Sequence, residues 1–143
     1  MAHHSQLSSH KIQAAVLRLT GGPLTIEALE LDGPQDDEIL VRMVASGICH
    51  TDLGMCDGWD DTDYPVVLGH EGAGVVEQVG KSVKRFKSGD HVVLSYQSCG
   101  VCRPCRKGHP TQCERFYEAN FGFRRLDGSN ALERMMLCVV VVV

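Results

Sequence analysis

The chain has 143 residues and a formal net charge of −4, with 43% hydrophobic and 22% charged residues. These proportions are ordinary for a soluble globular protein, and the length fits one domain with its own buried core. The negative charge argues against nucleic acid or an anionic membrane surface as the main partner, because both select a basic protein face.

Short runs rich in Val, Ile and Leu predict β-strands along much of the chain. The turn sequences at 21–23 and 32–34 separate the first three runs. Residues 48–56 are compatible with a short helix, with Thr51 or Asp52 near its start. Because no β-α-β alternation is present, the pattern predicts a mainly β fold, an antiparallel barrel or sandwich. The predicted strands cover residues 12–19, 24–31, 39–45, 69–79 and 91–94.

Residues 95–116 lose this periodicity and gain Cys, Gly and Pro, so something other than a hydrophobic core must hold them. The five valines at 139–143 are typical of a buried strand, and we assign no function to them. The polar residues 1–11 lack the apolar segment of a signal peptide, and no earlier run approaches the length needed to span a bilayer. We therefore expect a cytoplasmic protein with one domain, residues 11–143, that carries a lobe at 95–116.

Four closely spaced cysteines predict a metal site inside this lobe. Seven cysteines are many for a chain without a secretion signal, and reduced cytosolic thiols bind metal more often than they form disulfides. Four thiolates can close a tetrahedral shell around zinc, and two-residue spacers let three sulfurs converge from one tight loop. The alternatives are an iron–sulfur cluster and disulfide bonds. The predicted ligands of a closed, structural zinc are Cys99, Cys102, Cys105 and Cys113.

A second cluster contains the chemistry of a catalytic metal. Catalytic zinc uses three protein ligands, such as two cysteines and one histidine, and keeps one position open for substrate. Cys49 and His70 would supply two ligands, and Asp52 would accept the other imidazole N–H of His70. Zinc-bound alcohol loses its proton readily, and the Thr51 hydroxyl and His50 imidazole would carry that proton away. Each residue alone also has a structural explanation, such as a buried cysteine or a helix cap.

Three ordered motifs resemble those of the zinc-containing medium-chain alcohol dehydrogenases. Residues 69–83 have the pattern Gly-His-Glu-x2-Gly-x5-Gly-x2-Val, which is similar to the signature of that family. Residues 47–52 resemble the family's first catalytic ligand segment, and the four-cysteine lobe follows where the family carries its structural zinc. The resemblance spans about residues 11–132. Residues 64–74 and 120–128 are most similar to the aryl-alcohol dehydrogenase-like members.

This resemblance implies a GroES-like (chaperonin-10-like) β-barrel catalytic domain with a structural zinc in the four-cysteine lobe. It implies that Cys49 and His70 ligate a catalytic zinc, and that Glu71 approaches this metal during ligand exchange. It further implies that Thr51 belongs to the proton relay and that His50 contacts the pyrophosphate of the cofactor. The implied reaction is NAD-linked hydride transfer between an alcohol and its aldehyde, carried out by a homo-oligomer.

Two aromatic residues are candidates for the substrate pocket. Trp59 and Tyr64 precede the zinc segment and would line a pocket for an aromatic alcohol, or else pack against the barrel. The alternative function is a non-catalytic, zinc-stabilised binding module.

Two parts of the family pattern are missing from the chain. No Gly-x-Gly-x-x-Gly motif occurs between a strand and a helix, so we expect no Rossmann domain here. The family's third catalytic ligand, a second cysteine, lies beyond the resemblance, and we assign structural roles to Cys56 and Cys138. We therefore expect the chain alone to retain the structural zinc, to hold the catalytic zinc loosely, and not to oxidise alcohols.

Overall fold

The computed structural model describes residues 9–59 and 64–132, together with the backbone of residues 136 and 137. The strands are β1 (Ser9–Leu17), β2 (Leu24–Asp32), β3 (Ile39–Ser46), β4 (Val66–Val67), β5 (Gly72–Val79), β6 (His91–Val93) and β7 (Met136–Leu137). The helices are α1 (His50–Cys56), α2 (Arg103–Arg106) and α3 (Phe116–Phe121), with a 3-10 turn at Pro110–Gln112. Within these described ranges, no helix has the length and apolarity needed to cross a membrane.

The strands form two sheets, ordered β2-β1-β4-β7 and β3-β5-β6. β1 and β2 pair antiparallel along their whole lengths, and β5 pairs antiparallel with both β3 and β6. The short β4–β7 ladder is parallel, which the sequence did not predict. The mainly β architecture predicted from the sequence is confirmed.

Several predicted boundaries were wrong by a few residues, for local reasons. The first strand runs from Ser9 to Leu17 and not from 12 to 19, because a turn closed by the Gly22 N–H and the Leu19 carbonyl begins there. The fifth predicted strand ends at Val93. The strand predicted from residue 69 begins at Gly72, because Gly69 has φ of +130°, outside the strand region.

The helix predicted at 48–56 begins at His50, because Cys49 has the extended backbone of an N-cap residue, with φ of −90° and ψ of 158°. The region 95–116, predicted without regular structure, contains α2 and the start of α3. The valine run and Cys138 lie outside the described residues.

Two small core clusters use opposite faces of β1. Leu17 packs with Met55 of α1, Val66 of β4 and Phe123, whereas its neighbour Val16 packs with Leu132. Because Met55 belongs to the first cluster, the core anchors α1 against the first sheet. The residues at the start of α1 are thereby fixed in space.

A buried ion pair holds the segment after α3 against the start of β3. The Arg125 side chain is only 7% exposed and donates to both carboxylate oxygens of Glu38, at 2.6 and 3.0 Å. It also donates to the carbonyl of Asn130 at 2.9 Å. This forked, charge-assisted pairing satisfies a guanidinium that would be costly to bury alone.

Candidate metal centres

The four cysteines of the lobe converge on one point. Their sulfur atoms all lie within 4.8 Å of one another. Four thiolates around zinc at about 2.3 Å would have sulfur–sulfur distances of about 3.8 Å, so the set has the size of a zinc site. The Cys102 and Cys105 sulfurs are 3.3 Å apart, well beyond the roughly 2.05 Å of a disulfide bond. Convergence of four sulfurs favours a shared ion over pairwise bonds.

Backbone geometry in the lobe supports this donor set. Gly100 and Gly108 have positive φ angles of +70° and +81°, which let the loop turn tightly around the sulfurs. The N–H groups of Cys99 and Arg115 point at the Cys113 sulfur, at 3.3 and 3.4 Å. Such N–H groups stabilise negative charge on sulfur and are compatible with thiolate ligands.

The thiols of the lobe differ in acidity. Hydrogen bonds from the N–H groups of Val101 and Cys102 lower the pKa of Cys99 to about 6. Burial, followed by the neighbouring Cys102 thiol, raises the pKa of Cys105 to about 12. A central dication would draw both sulfurs into the thiolate form, because a coordinating thiol is deprotonated outright. The residues therefore fit a structural zinc.

The second centre is assembled by the pairing of β3 with β5. Ser46 lies opposite Gly72 in this ladder, and the Gly47 N–H donates to the Glu71 carbonyl at 3.0 Å just beyond it. After β3 the chain continues through Cys49 into α1, and His70 and Glu71 come directly before β5. A side chain at position 47 would collide with the Glu71 carboxylate, so glycine leaves the room that this carboxylate occupies.

This pairing brings together the two predicted ligands of the catalytic zinc and the carboxylate predicted to approach it. The candidate ligand atoms of Cys49, His70 and Glu71 all lie within 4.8 Å of one another. Cys49 and His70 are half-buried, whereas Glu71 is exposed. This set contains one thiol, one imidazole and one carboxylate, which are donor types that zinc accepts. We refer to it as the Cys49–His70–Glu71 cluster.

Asp52 holds two members of this cluster with one carboxylate. One oxygen lies 3.3 Å from Nδ1 of His70, and the other accepts the Cys49 N–H at 2.8 Å. The Asp52 side chain is largely buried, at 12% exposure. Because Nδ1 faces this carboxylate, Nε2 is the His70 nitrogen that remains for a metal.

Thr51 acts on the Cys49 thiol. Its N–H group is the largest influence that lowers the pKa of Cys49, followed by its hydroxyl and by His70. The Thr51 hydroxyl oxygen lies 3.6 Å from the Cys49 sulfur. His50, the first residue of α1, is exposed beside it. The predicted relay residues therefore lie at the start of α1, directly after Cys49 in the chain.

The two aromatic residues considered for a substrate pocket occupy different surroundings. The Tyr64 hydroxyl donates to the Met55 carbonyl and accepts from Thr20, both at 3.1 Å, and its ring packs on the core cluster around Leu17. This is the packing alternative. Trp59 is 69% exposed.

The aromatic ring beside the cluster is one that sequence reasoning missed. Tyr96 stacks on the His70 imidazole, with ring centroids 5.8 Å apart and an interplanar angle of 20°. The only signal for it in the sequence was an aromatic residue shortly before the first lobe cysteine.

Comparison with known proteins identifies the fold. The family described as the alcohol dehydrogenase GroES-like domain matches residues 35–139. The chain belongs to this family. The resemblance inferred from the zinc motifs is therefore confirmed, as is the GroES-like fold.

Several relatives of this GroES-like domain are similar along most of the chain. Geraniol dehydrogenase of Castellaniella defragrans is 49% identical over 122 residues, which is 85% of this chain and 32% of that protein. A zinc-binding alcohol dehydrogenase domain protein from Burkholderia ambifaria has a TM-score of 0.85 at 48% identity, covering 88% of this chain and 34% of that structure. Benzyl alcohol dehydrogenase from Acinetobacter calcoaceticus has a TM-score of 0.83 at 43% identity, covering 92% and 35%. The chain thus spans about a third of the length of these relatives.

Proposed function

We propose that this GroES-like domain is the zinc-binding catalytic portion of an alcohol dehydrogenase, which transfers hydride between a small-molecule alcohol and NAD. The observation that carries the proposal is the Cys49–His70–Glu71 cluster, with Asp52 fixing two of its members. A scaffold that only needed the lobe for stability would not require a second, partly exposed donor set of this kind. The relatives named for alcohol oxidation support the same function.

The residues of the cluster would prepare the metal site in a defined way. Zinc bound there would act as a Lewis acid that lowers the pKa of a coordinated alcohol. Thr51 favours the thiolate of Cys49, and Asp52 keeps the Nε2 atom of His70 unprotonated for binding. Glu71 is the exposed member of the cluster, and its carboxylate would be within reach of the metal if another ligand left.

The proton of the alcohol needs a path to solvent, and the start of α1 provides the groups for one. The Thr51 hydroxyl lies close to the Cys49 sulfur and can accept a proton from a neighbouring hydroxyl while donating its own. His50 is exposed at the same helix end, where its imidazole nitrogens offer both a proton acceptor and a proton donor. We propose Thr51 and His50 as this relay, and His50 also as a contact for the cofactor pyrophosphate.

The substrate class follows from chemistry shared by two relatives. Benzyl alcohol is aromatic and geraniol is allylic, so both carry unsaturation next to the carbinol carbon, where it stabilises the aldehyde product by conjugation. We propose a primary alcohol of this kind as substrate and NAD as the acceptor. Cytoplasmic location and homo-oligomeric assembly stay predictions.

The proposal is tested by measuring alcohol oxidation through the absorbance of reduced nicotinamide. The assay uses the full-length protein, by which we mean the proposed enzyme with its nicotinamide-binding part. Benzyl alcohol and geraniol should both be oxidised, and Cys49→Ala should abolish turnover. Cys56→Ala is the matched control, since Cys56 is a half-buried cysteine at the other end of α1 and belongs to neither metal set. Unchanged turnover in Cys49→Ala would refute the proposal and favour the zinc-stabilised binding module.

A further inference from the structure

His70 is constrained on its edge by Asp52 and on its face by Tyr96. The Tyr96 ring lies nearly parallel to the imidazole, at 20° with 5.8 Å between centroids, while Asp52 lies 3.3 Å from Nδ1. A hydrogen bond at one nitrogen still allows the imidazole to tilt about that bond. A ring against its face opposes this tilt, so the two contacts together define where Nε2 points.

Tyr96 also packs against α3. Its ring packs against Phe116 at 5.2 Å between centroids, and Phe116 packs against Phe121 at 6.5 Å. The Asn120 side chain of α3 binds the backbone of Gln97, the residue after Tyr96. It accepts a hydrogen bond from the Gln97 N–H at 2.7 Å and donates one to the Gln97 carbonyl at 3.0 Å. These contacts connect Tyr96 and its neighbour to α3, although half of the Tyr96 surface is exposed.

Tyr96 and Phe116 lie at the two ends of the four-cysteine lobe. Tyr96 lies just before Cys99, the first lobe cysteine, and Phe116 lies just after Cys113, the last one. The Cys99 N–H points at the Cys113 sulfur at 3.3 Å, so the first and last cysteines of the lobe are in contact and its two ends lie together. The Tyr96–Phe116 contact lies directly at this junction.

We propose that Tyr96 is a positioning residue for His70, through which the four-cysteine lobe orients the ligand of the second centre. This inference rests on the proposed metal centre at Cys49 and His70. The lobe then has a role beyond stability. Metal bound to the four cysteines holds the two ends of the lobe together, which keeps Tyr96 in place against the His70 imidazole.

The test is a cobalt(II) titration of the metal-free, full-length protein, followed by its visible spectrum. The two sites are distinguishable because sulfur-to-cobalt charge-transfer absorption grows with the number of thiolate ligands, four in the lobe and fewer in the second centre. Tyr96→Leu should weaken cobalt binding at the second centre about tenfold, the scale typical of groups that orient a metal ligand. Binding in the lobe should not change, and Tyr96→Phe should restore wild-type behaviour because it keeps the ring.

Two further variants complete the experiment. Tyr117→Leu is the matched control: Tyr117 stacks on Phe121 at the far end of the row of rings, so cobalt affinity should stay within about twofold of wild type. Phe116→Leu loosens Tyr96 without replacing it and should weaken the second centre in the same direction, by less than Tyr96→Leu.

The outcomes separate the inference from the function on which it rests. Wild-type protein that binds cobalt only in the lobe overturns the proposed metal centre and the inference with it. Two bound cobalt ions, with equal affinity of the second centre in wild type and Tyr96→Leu, overturn the inference alone. Equal weakening of both sites by Tyr96→Leu also overturns it, because Tyr96 would then support the fold at large.

Discussion

Replacing Asp52 by asparagine should disturb the second metal centre through the tautomer of His70. The carboxylate of Asp52 accepts at both oxygens, one 2.8 Å from the Cys49 N–H and one 3.3 Å from Nδ1 of His70. Asparagine keeps the shape but has one acceptor and one donor. If its oxygen retains the Cys49 N–H, its amino group faces Nδ1, and the imidazole proton moves to Nε2. Nε2 is the atom that a metal needs.

The expected magnitude follows from the bond that is lost. A hydrogen bond to a charged group contributes about 1.5–3 kcal/mol. Changing the outer partner of a ligating histidine typically lowers metal affinity about 10- to 100-fold, or about 1.4–2.8 kcal/mol, so the two scales agree. Zinc affinity of the second centre in Asp52→Asn should fall by this factor, while the lobe keeps its affinity.

The assay is zinc competition between the full-length protein and a chromogenic chelator. Asp57→Asn is the matched control, because Asp57 is an exposed aspartate at the other end of the same helix. It changes the net charge equally and should leave both affinities unaltered. Equal zinc affinity of the second centre in Asp52→Asn and Asp57→Asn would refute the role given to Asp52.

Three other perturbations have definite expected results. Glu38→Gln removes the charge of the carboxylate closest to the buried Arg125 and leaves it only Asp32, which is half-exposed and 4.0 Å away. The free energy of unfolding in urea should fall by about 3 kcal/mol. Glu77→Gln, in an exposed pair with Arg42, should change it by less than about 0.5 kcal/mol, and equal losses would contradict this. In metal-free protein at pH 7, iodoacetamide should modify Cys99 well before Cys105, because a pKa of about 6 leaves Cys99 mostly thiolate and a pKa of about 12 keeps Cys105 protonated. Peptide mass mapping gives the order of modification, and the rate at Cys99 should decrease as the pH falls through 6. Faster modification of Cys105 would contradict this prediction. Cys113→Ser should open the lobe, so limited proteolysis should cut residues 95–121 sooner than in Cys56→Ala; resistance equal to that control would show that the lobe does not depend on its sulfurs.

How far the sequence predicted this site depended on the distance between the interacting residues. The lobe cysteines lie close together in the chain, so their spacing alone indicated one metal site. Cys49 and His70 come from separate segments. The chemistry of catalytic zinc suggested the pair, but each residue also had a structural explanation, and the family motifs were needed to favour a shared metal site. In the structure, the β3–β5 ladder brings the two segments together. Asp52 could be assigned because it shares a helix turn with Cys49 and the chemistry of a histidine ligand requires an acceptor.

The remaining features could not be predicted because they depend on tertiary packing. Arg125 and Glu38 are 87 residues apart, and nothing local to either residue identifies its partner. Tyr96 faces His70 only because α3 and the base of the lobe hold it there. The start of α1 was misplaced because the N-cap is a cysteine, which is not among the residues that usually mark a helix N-terminus.

The most direct test of the central claim is the zinc content of the full-length protein, measured by native mass spectrometry. The wild type should carry two zinc ions per chain, whereas Cys49→Ala and Cys113→Ala should each carry one. Residues 1–143 expressed alone should retain the lobe zinc and bind the second ion loosely. A wild type with a single zinc, or a Cys49→Ala variant that still holds two, would contradict a catalytic zinc at Cys49 and His70.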